Sequence, residues 1–494
     1  MSRRQALVAA CVVLLAGATA TLRLRRQFIA AFFGDAPPGA APSLPRPGAP
    51  SDPVATVGRM RVVLLDGLAA GVARGLPTFN ALCAEGLDLV VDVGFPSVSL
   101  PAQHVLWTGL LQQQSGVLYR REGLPAPPSG SLPARLPSRA VAESHAEISA
   151  SFGFSEPPVA GASAEIFVAH AQEAVAGDRP LVFVHVLRID DAGHRRGAAS
   201  PEYREAAVWA DGLLAGLLAS DRGHGKGGTR WLVLSDHGHL ERGGHGGEED
   251  EVRLVRACVA GDLPFALLAR REGRVHLVDL HRLLADSLGL EAAPGAAGRP
   301  LGAALSFPAP DVTLPRPGGL RWLLAIAIAL IGCAIALKSD RQRSALPWWL
   351  PIAYVSVVLS RGWPSLSHSM IYPPQGRAMT TGALPGLVVL AVAAAWALRR
   401  RPLRAVVGSQ LLPALAFAAA ALVLCGGFEA PFGRPPLMPI WTAQASLLLQ
   451  LCTSAMLVLS LVALSFALRP GFDPPGTAGA SGTPAAAGPR DPDR

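Results

Sequence analysis

Three aspartates and three histidines stand in short polar clusters through the middle of the chain: Asp66 in LLDGL, Asp190 and His194 in IDDAGH, Asp236 and His237 in SDHGH, and His245 in GGHGG. Three carboxylates and three imidazoles suit two zinc-class divalent ions, each of which takes three or four nitrogen or oxygen ligands. A hydroxyl accompanies them. Ser99 lies in PSVSLPAQHVLWTG, residues 96–109, after an apolar run and before a helical stretch. Free backbone N–H groups at a helix N-terminus attract a phosphoryl oxygen. A bound metal also turns a serine hydroxyl, a weak nucleophile at neutral pH, into an effective one.

The elements that must position these groups are short apolar runs alternating with helical stretches over residues 59–305. Val62–Leu65, Leu89–Val91, Leu181–Leu187 and Trp231–Leu234 are continuous rather than alternating. Strands of that kind are covered on both faces, which implies an α/β sandwich with a largely parallel central sheet. Leu65 leads into Asp66, Ile189 into Asp190 and Ser235 into Asp236, each read as the end of a strand. Ligands of open α/β sheets bind beyond the carboxyl ends of strands, so the three aspartates are expected at one rim.

The order of LLDGL, PSVSLPAQHVLWTG, IDDAGHRRG, SDHGH and GGHGG resembles the alkaline phosphatase superfamily, nearest the type I phosphodiesterase/nucleotide pyrophosphatase group. The stretch VDLHRLLADSLGLEAAPGAAGRPL, residues 278–301, resembles the close of such domains, so the resemblance covers about residues 60–302. It implies an alkaline-phosphatase-like fold in which Asp190, His194 and His245 hold one zinc and Asp66, Asp236 and His237 the other. Ser99 would sit at the second ion and become the phosphorylated residue, a place where this group often has threonine. Gln103 stands where relatives often carry histidine or asparagine, and no role is attached to it. The stretch TGLLQQQSGVLYR, residues 108–120, resembles one that often ends in an asparagine that binds a phosphoryl oxygen; here it ends in Arg120. A guanidinium grips two phosphoryl oxygens at once, which favours a monoester, whereas the other reading puts Arg120 on a solvated loop.

Other polar residues receive structural readings. His104 and His239 adjoin motif positions and are read as packing or loop residues, His185 as a core residue, His224 as solvated, and Asp191 and Asp211 as orienting loops or facing solvent. Of the six cysteines, Cys11, Cys333, Cys425 and Cys452 lie in apolar runs, and Cys83 and Cys258 are read as buried small hydrophobes rather than a bridge. No cysteine stands near position 99 to mature into formylglycine, which excludes a sulfatase.

A formal net charge of +8 and a mean hydropathy of +0.34 raise two partners, nucleic acid and membrane. Many basic residues sit in clusters beside apolar runs, as in membrane proteins, and no basic stripe is interleaved with aromatics, so nucleic-acid binding is not expected. Residues 1–22 read as a signal peptide or signal anchor, with Ala18-Thr19-Ala20 as a candidate cleavage site. A Pro/Ala/Gly-rich tether at 23–58, the catalytic domain at 59–305 and a linker at 306–318 follow. About five transmembrane helices are expected within 319–468, then a disordered tail at 469–494. Lys338, Arg341, Arg343, Arg399, Arg400, Arg401 and Arg404 lie on one side of these spans, against Arg361, Arg377 and Arg434 on the other. The positive-inside rule then places the catalytic domain outside the cytoplasm.

The expected activity is that of a membrane-anchored two-metal phospho-ester hydrolase acting through a phospho-seryl intermediate. The architecture also resembles glycolipid (GPI-type) ethanolamine-phosphate transferases, which would make the substrate a lipid. A third reading is an inactive binding module on a membrane scaffold.

Overall fold

The computed structural model describes residues 3–33, 56–115, 117, 130–155, 159–160, 163–221, 228–247, 249–269, 272–293, 295–306 and 439–469, with single positions between 323 and 399. The apolar runs expected as strands form them. The sheet comprises β1 (Arg59–Leu65), β2 (Leu87–Asp92), β3 (Ser138–Ala142), β4 (Val159–Ala160), β5 (Leu181–Val186), β6 (Thr229–Leu234), β7 (Leu254–Gly261) and β8 (Glu272–His276). Its order is β4-β3-β5-β1-β6-β7-β2-β8. Only β7 runs against its neighbours, pairing antiparallel with both β6 and β2.

The reason for the continuous runs is visible strand by strand. On β1, Met60, Val62 and Leu64 belong to one buried cluster and Val63 and Leu65 to the other. The principal helices, in chain order, are α1 (Arg3–Phe33), α2 (Pro77–Glu85), α3 (Ser99–Thr108), α4 (Ala164–Ala176), α5 (Arg188–Arg196), α6 (Pro201–Ser220), α7 (Leu277–Ser287) and α8 (Pro439–Ala467). Helices α3 and α7 cover one sheet face through Leu100, Val105, Trp107, Leu280 and Leu284. Helices α2, α4 and α6 cover the other through Phe79, Phe167 and Leu214. The expected α/β sandwich with a largely parallel sheet is thus present, and each strand is apolar on both faces because both faces are buried.

Two sequence expectations are corrected here. Asp190 does not end a strand: β5 closes at Val186, and Asp190 lies in the first turn of α5. The Glu143 carboxylate accepts from Leu187 N and Arg188 N, which ends the ladder. Asp190 and Asp191 in the first turn, with His194, Arg195 and Arg196 in the last, complement the helix dipole. Cys83 of α2 and Cys258 of β7 are disulfide-bonded, with Cα atoms 4.7 Å apart, not independent core residues. They are separated by 175 residues, and only the packing of α2 on the sheet brings them together.

Helix α1 contains Arg4–Arg25, a 22-residue stretch long and apolar enough to cross a membrane, a property that a signal sequence shares. It packs on α8: Leu7 and Cys11 meet the Ala463/Phe466/Ala467 cluster, and Leu14 and Ala18 meet Met456. Thr21 Oγ1 and Thr453 Oγ1 are 2.7 Å apart across that seam. Of the five apolar segments expected between 319 and 468, the last falls within α8. The first and third are described only in part, as helical positions within 323–331 and 387–399, while the second and fourth, the loop charges except Arg399, most of the tether, the linker and almost all of the tail lie outside the described residues.

Candidate metal centre

The site forms where the carboxyl ends of β1 and β6 meet the N-termini of α3 and α5. Asp66 and Asp236 follow β1 and β6 at once, and the parallel pairing of those strands sets them side by side. Gly67 has a φ of +73°, and a Cβ there would meet the Asp190 Cα at 2.9 Å, so only glycine lets this turn approach α5 so closely. Gly67 N donates to Asp236 Oδ1 at 3.2 Å, which links the two turns. Ser235 Oγ donates to His237 O at 2.6 Å and accepts from Leu68 N at 2.9 Å, fixing the turn that presents His237.

Ser99 is the first residue of α3, as the sequence predicts. Its Oγ donates to Asp66 Oδ1 at 3.4 Å and lies 3.2 Å from His237 Nε2. His237 Nε2 is in turn 3.3 Å from Asp66 Oδ1. The helical placement of Asp190 and His194, four residues apart, puts both on one face, with His194 Nε2 3.2 Å from Asp190 Oδ2. His245 arrives from the glycine loop after β6, held by Ser97 Oγ, which donates to Gly247 O at 2.9 Å and accepts from Gly246 N at 3.1 Å. His245 Nε2 lies 3.2 Å from His194 Nε2, and its ring stacks on His237 with centroids 3.7 Å apart. Asp66, Ser99, Asp190, His194, Asp236, His237 and His245 therefore converge, and Arg120 lies outside the described residues.

The donor chemistry fits divalent cations. Asp66, Asp236 and His237 form one group whose ligand atoms lie within 4.8 Å of one another, and Asp190, His237, His239 and His245 form another. His245 Nδ1 donates to Ser97 O at 3.1 Å, which leaves the Nε2 lone pair facing His194 Nε2. Two imidazole nitrogens about 3.3 Å apart are what a tetrahedral ion with ~2.0–2.1 Å bonds requires. Asp236 Oδ2 is buried with no hydrogen-bond partner among the described residues, and a cation would satisfy it.

The charges favour the same conclusion. Burial and the neighbouring Asp66 charge push the Asp236 carboxyl up to about 7. Burial and Asp190 also push Asp66 up, but hydrogen bonds to His185 and His237 outweigh them and hold it below the usual carboxylate range. Asp190 is likewise held well below that range, burial being overcome by hydrogen bonds to His194 and His239. Burial disfavours charge on His237, yet Asp236 and Asp66 raise it to about 10. Burial and the His237 charge keep His245 neutral, the form that ligates metal.

Two residues given bland readings from sequence belong here. His239, read as packing or loop, is buried with Nε2 2.8 Å from Asp190 Oδ1. Its only sequence signal was its position two residues after His237. His185, read as core, is core and also reaches Asp66 Oδ2 at 2.7 Å. His104 does pack, bonded to Thr108 Oγ1 at 3.2 Å, and burial lowers it to about 4. Asp211, read as orienting a loop or facing solvent, is instead buried on α6 and accepts from Thr78 N and Phe79 N in the first turn of α2.

The family model for type I phosphodiesterase / nucleotide pyrophosphatase matches residues 129–242. That segment includes Asp190, His194, Asp236, His237 and His239 and leaves out Asp66, Ser99 and His245. No curated protein matches the chain. Among solved structures, murine ectonucleotide pyrophosphatase/phosphodiesterase 5 is 16% identical with a TM-score of 0.34, over 48% of this chain and 96% of that one. An alkaline phosphatase superfamily protein from Vibrio parahaemolyticus is 16% identical with a TM-score of 0.37, over 56% and 78%. The protein PH0037 from Pyrococcus horikoshii is 12% identical with a TM-score of 0.35, over 48% and 98%. The match over 129–242 takes in IDDAGHRRG and SDHGH, two of the five motifs that carry the resemblance, so this segment of the chain is similar to the type I phosphodiesterase / nucleotide pyrophosphatase family.

Proposed function

We propose that the chain is a two-metal phospho-ester enzyme, anchored in a membrane, with Ser99 as its nucleophile. The observation that carries this reading is the placement of Ser99 Oγ at the N-terminus of α3, 3.2 Å from His237 Nε2 and 3.4 Å from Asp66 Oδ1. Asp190, His194 and His245 would hold one ion and Asp66, Asp236, His237 and Ser99 the other. Bound there, zinc-class ions supply Lewis acidity toward the phosphoryl group and stabilise the ionised hydroxyl.

The chain's own residues do the rest. Ser99 Oγ attacks phosphorus in line, an Oγ–P bond forms, and the bond to the leaving oxygen breaks. Pro101 has no N–H and Ala102 N donates to Val98 O, so the amides of Ser99 and Leu100 are those of the first α3 turn that would meet the phosphoryl oxygens of a group bonded to Ser99. Water, entering opposite Ser99, then releases phosphate and regenerates the hydroxyl. Arg120 would grip phosphoryl oxygens and favour a monoester.

The disulfide supports an extracytoplasmic catalytic domain, because such bonds persist in oxidising compartments. A second reading, in keeping with the apolar helix α1, makes the acceptor a glycolipid hydroxyl and the activity an ethanolamine-phosphate transfer. The deciding experiment incubates zinc-loaded full-length protein with chromogenic mono- and diesters, and with phosphatidylethanolamine plus a glycolipid. Turnover of a chromogenic ester that vanishes on chelation supports the hydrolase; turnover of the lipid pair alone supports the transferase. No turnover of any of these by protein holding two ions would overturn the enzyme reading.

A further inference from the structure

His185 stands on β5, outside every ligand set assigned above. In the β1–β5 ladder it pairs with Leu64, and Asp66 lies two residues further along β1. Because side chains alternate along a strand, His185, Leu64 and Asp66 share one sheet face. That is the face covered by α3, the helix that presents Ser99.

The contact is specific. His185 Nε2 lies 2.7 Å from Asp66 Oδ2, with the two side chains 0% and 1% exposed. The other carboxylate oxygen, Asp66 Oδ1, faces Ser99 Oγ and His237 Nε2. His185 Nδ1 has no partner among the described residues. A proton on Nδ1 would be a buried donor without an acceptor, whereas on Nε2 it meets a carboxylate, so the Nε2–H tautomer is the stable one. Phe183, stacked on the ring at 5.7 Å between centroids, fixes its orientation.

We infer that His185 is a positioning residue for the Ser99 metal site: by donating Nε2–H to Asp66 Oδ2 it makes Asp66 a one-oxygen ligand and turns Oδ1 toward Ser99. Without that hydrogen bond Oδ2 loses its partner, and the carboxylate can swing to grip an ion through both oxygens and take the position that Ser99 or a substrate oxygen needs. Outer partners of this kind typically change metal affinity by about 10–100-fold. The inference rests on the two-metal reading, but the hydrogen bond itself does not.

The experiment uses full-length protein in detergent and two substitutions. His185→Gln keeps an amide donor near the Nε2 position; His185→Phe keeps a ring and removes the donor. Zinc affinity at each site is read by chelator competition, and the coordination of the Ser99 site by the visible spectrum of the cobalt-substituted protein. His185→Phe is expected to weaken the Ser99 site about 10–100-fold and shift its cobalt bands, leaving the Asp190 site unchanged, while His185→Gln stays within about threefold of wild type. Equal affinity in His185→Phe and wild type, or an equal loss in both variants, would overturn the role. If His185→Phe fails to fold by circular dichroism, His185→Gln and the metal-free wild type decide. In the latter, the ¹⁵N-histidine signal absent from His185→Gln must show a protonated Nε2, and a protonated Nδ1 overturns the inference. Wild-type protein that takes up fewer than two ions overturns the two-metal reading instead, and the ¹⁵N signal still reads the hydrogen bond.

Discussion

His239 Nε2 lies 2.8 Å from Asp190 Oδ1, and the ring is enclosed by Gly193 and Gly67, where an added Cβ would come within 2.5 Å and 3.1 Å of it. Asp190 is therefore held from both sides, by His194 on its own helix and by His239 from the turn after β6. His239→Ala is expected to weaken one of the two zinc sites by tenfold or more. Gly193→Ala, whose Cβ would come within 2.5 Å of the His239 ring, should displace that ring and lower the same affinity. Zinc retained after dialysis against a chelator measures both; unchanged retention in the two variants would separate His239 from the centre.

Ser99→Ala should abolish turnover while the zinc content stays near two, because the remaining donors are untouched. Ser99→Thr should keep part of the activity, since threonine supplies the same hydroxyl. A phosphorylated Ser99 peptide trapped by acid quench is the direct measurement. An alanine variant that turns over like wild type would remove the covalent step.

Metal affinity should rise with pH. Asp236 titrates near 7 and His237 near 10 in the metal-free site, both raised, so protons compete with the ion for these ligands. Each displaced proton makes affinity about tenfold per pH unit steeper. The slope should approach two below about pH 7 and one above it, and Asp236→Asn should remove the steeper part. Chelator competition between pH 6 and 8.5 checks this, and a flat profile would contradict the charge arrangement.

Helix α1 shares a seam with α8 through Thr21 and Thr453 and through Ala18 against Met456. Cleavage after Ala20 would leave that seam without its partner, so an N-terminal epitope tag is expected to remain on the membrane-extracted protein. Loss of the tag from most molecules, with the C-terminal part intact, would show that α1 is a cleaved signal. With α1 retained, reporters at 339–343 and 399–404 should face the cytoplasm and one at 362–378 the outside.

The Cys83–Cys258 disulfide closes a loop of 175 residues and ties α2 to β7. Reducing it, or replacing Cys258 with alanine, should destabilise the α/β domain by about 2–4 kcal/mol, read as a lower melting temperature. Equal melting with and without reductant would show that apolar packing in the cluster of Phe79 and Ala260 is enough to hold α2 on the sheet.

Much of the site was legible in the sequence because its residues sit in short motifs whose chemistry is local. Asp66 after an apolar run, Ser99 before a helical stretch and Asp236-His237 in SDHGH each state their donor atoms directly, and the continuous runs declared strands buried on both faces. That β5 stops at Val186 and passes Asp190 to a helix was not legible: the apolar run continues through Leu187, and it is the distant Glu143 carboxylate that ends the ladder. The Cys83–Cys258 bond, the grip of His239 on Asp190 and the reach of His185 to Asp66 were decided by tertiary structure alone. Each depends on strand order, register or helix docking. The hydrogen bond of His185 exists only because β5 lies beside β1 in a register that pairs it with Leu64. A residue's type is written in the chain, but its neighbours 119 or 175 positions away are set by how the sheet is assembled.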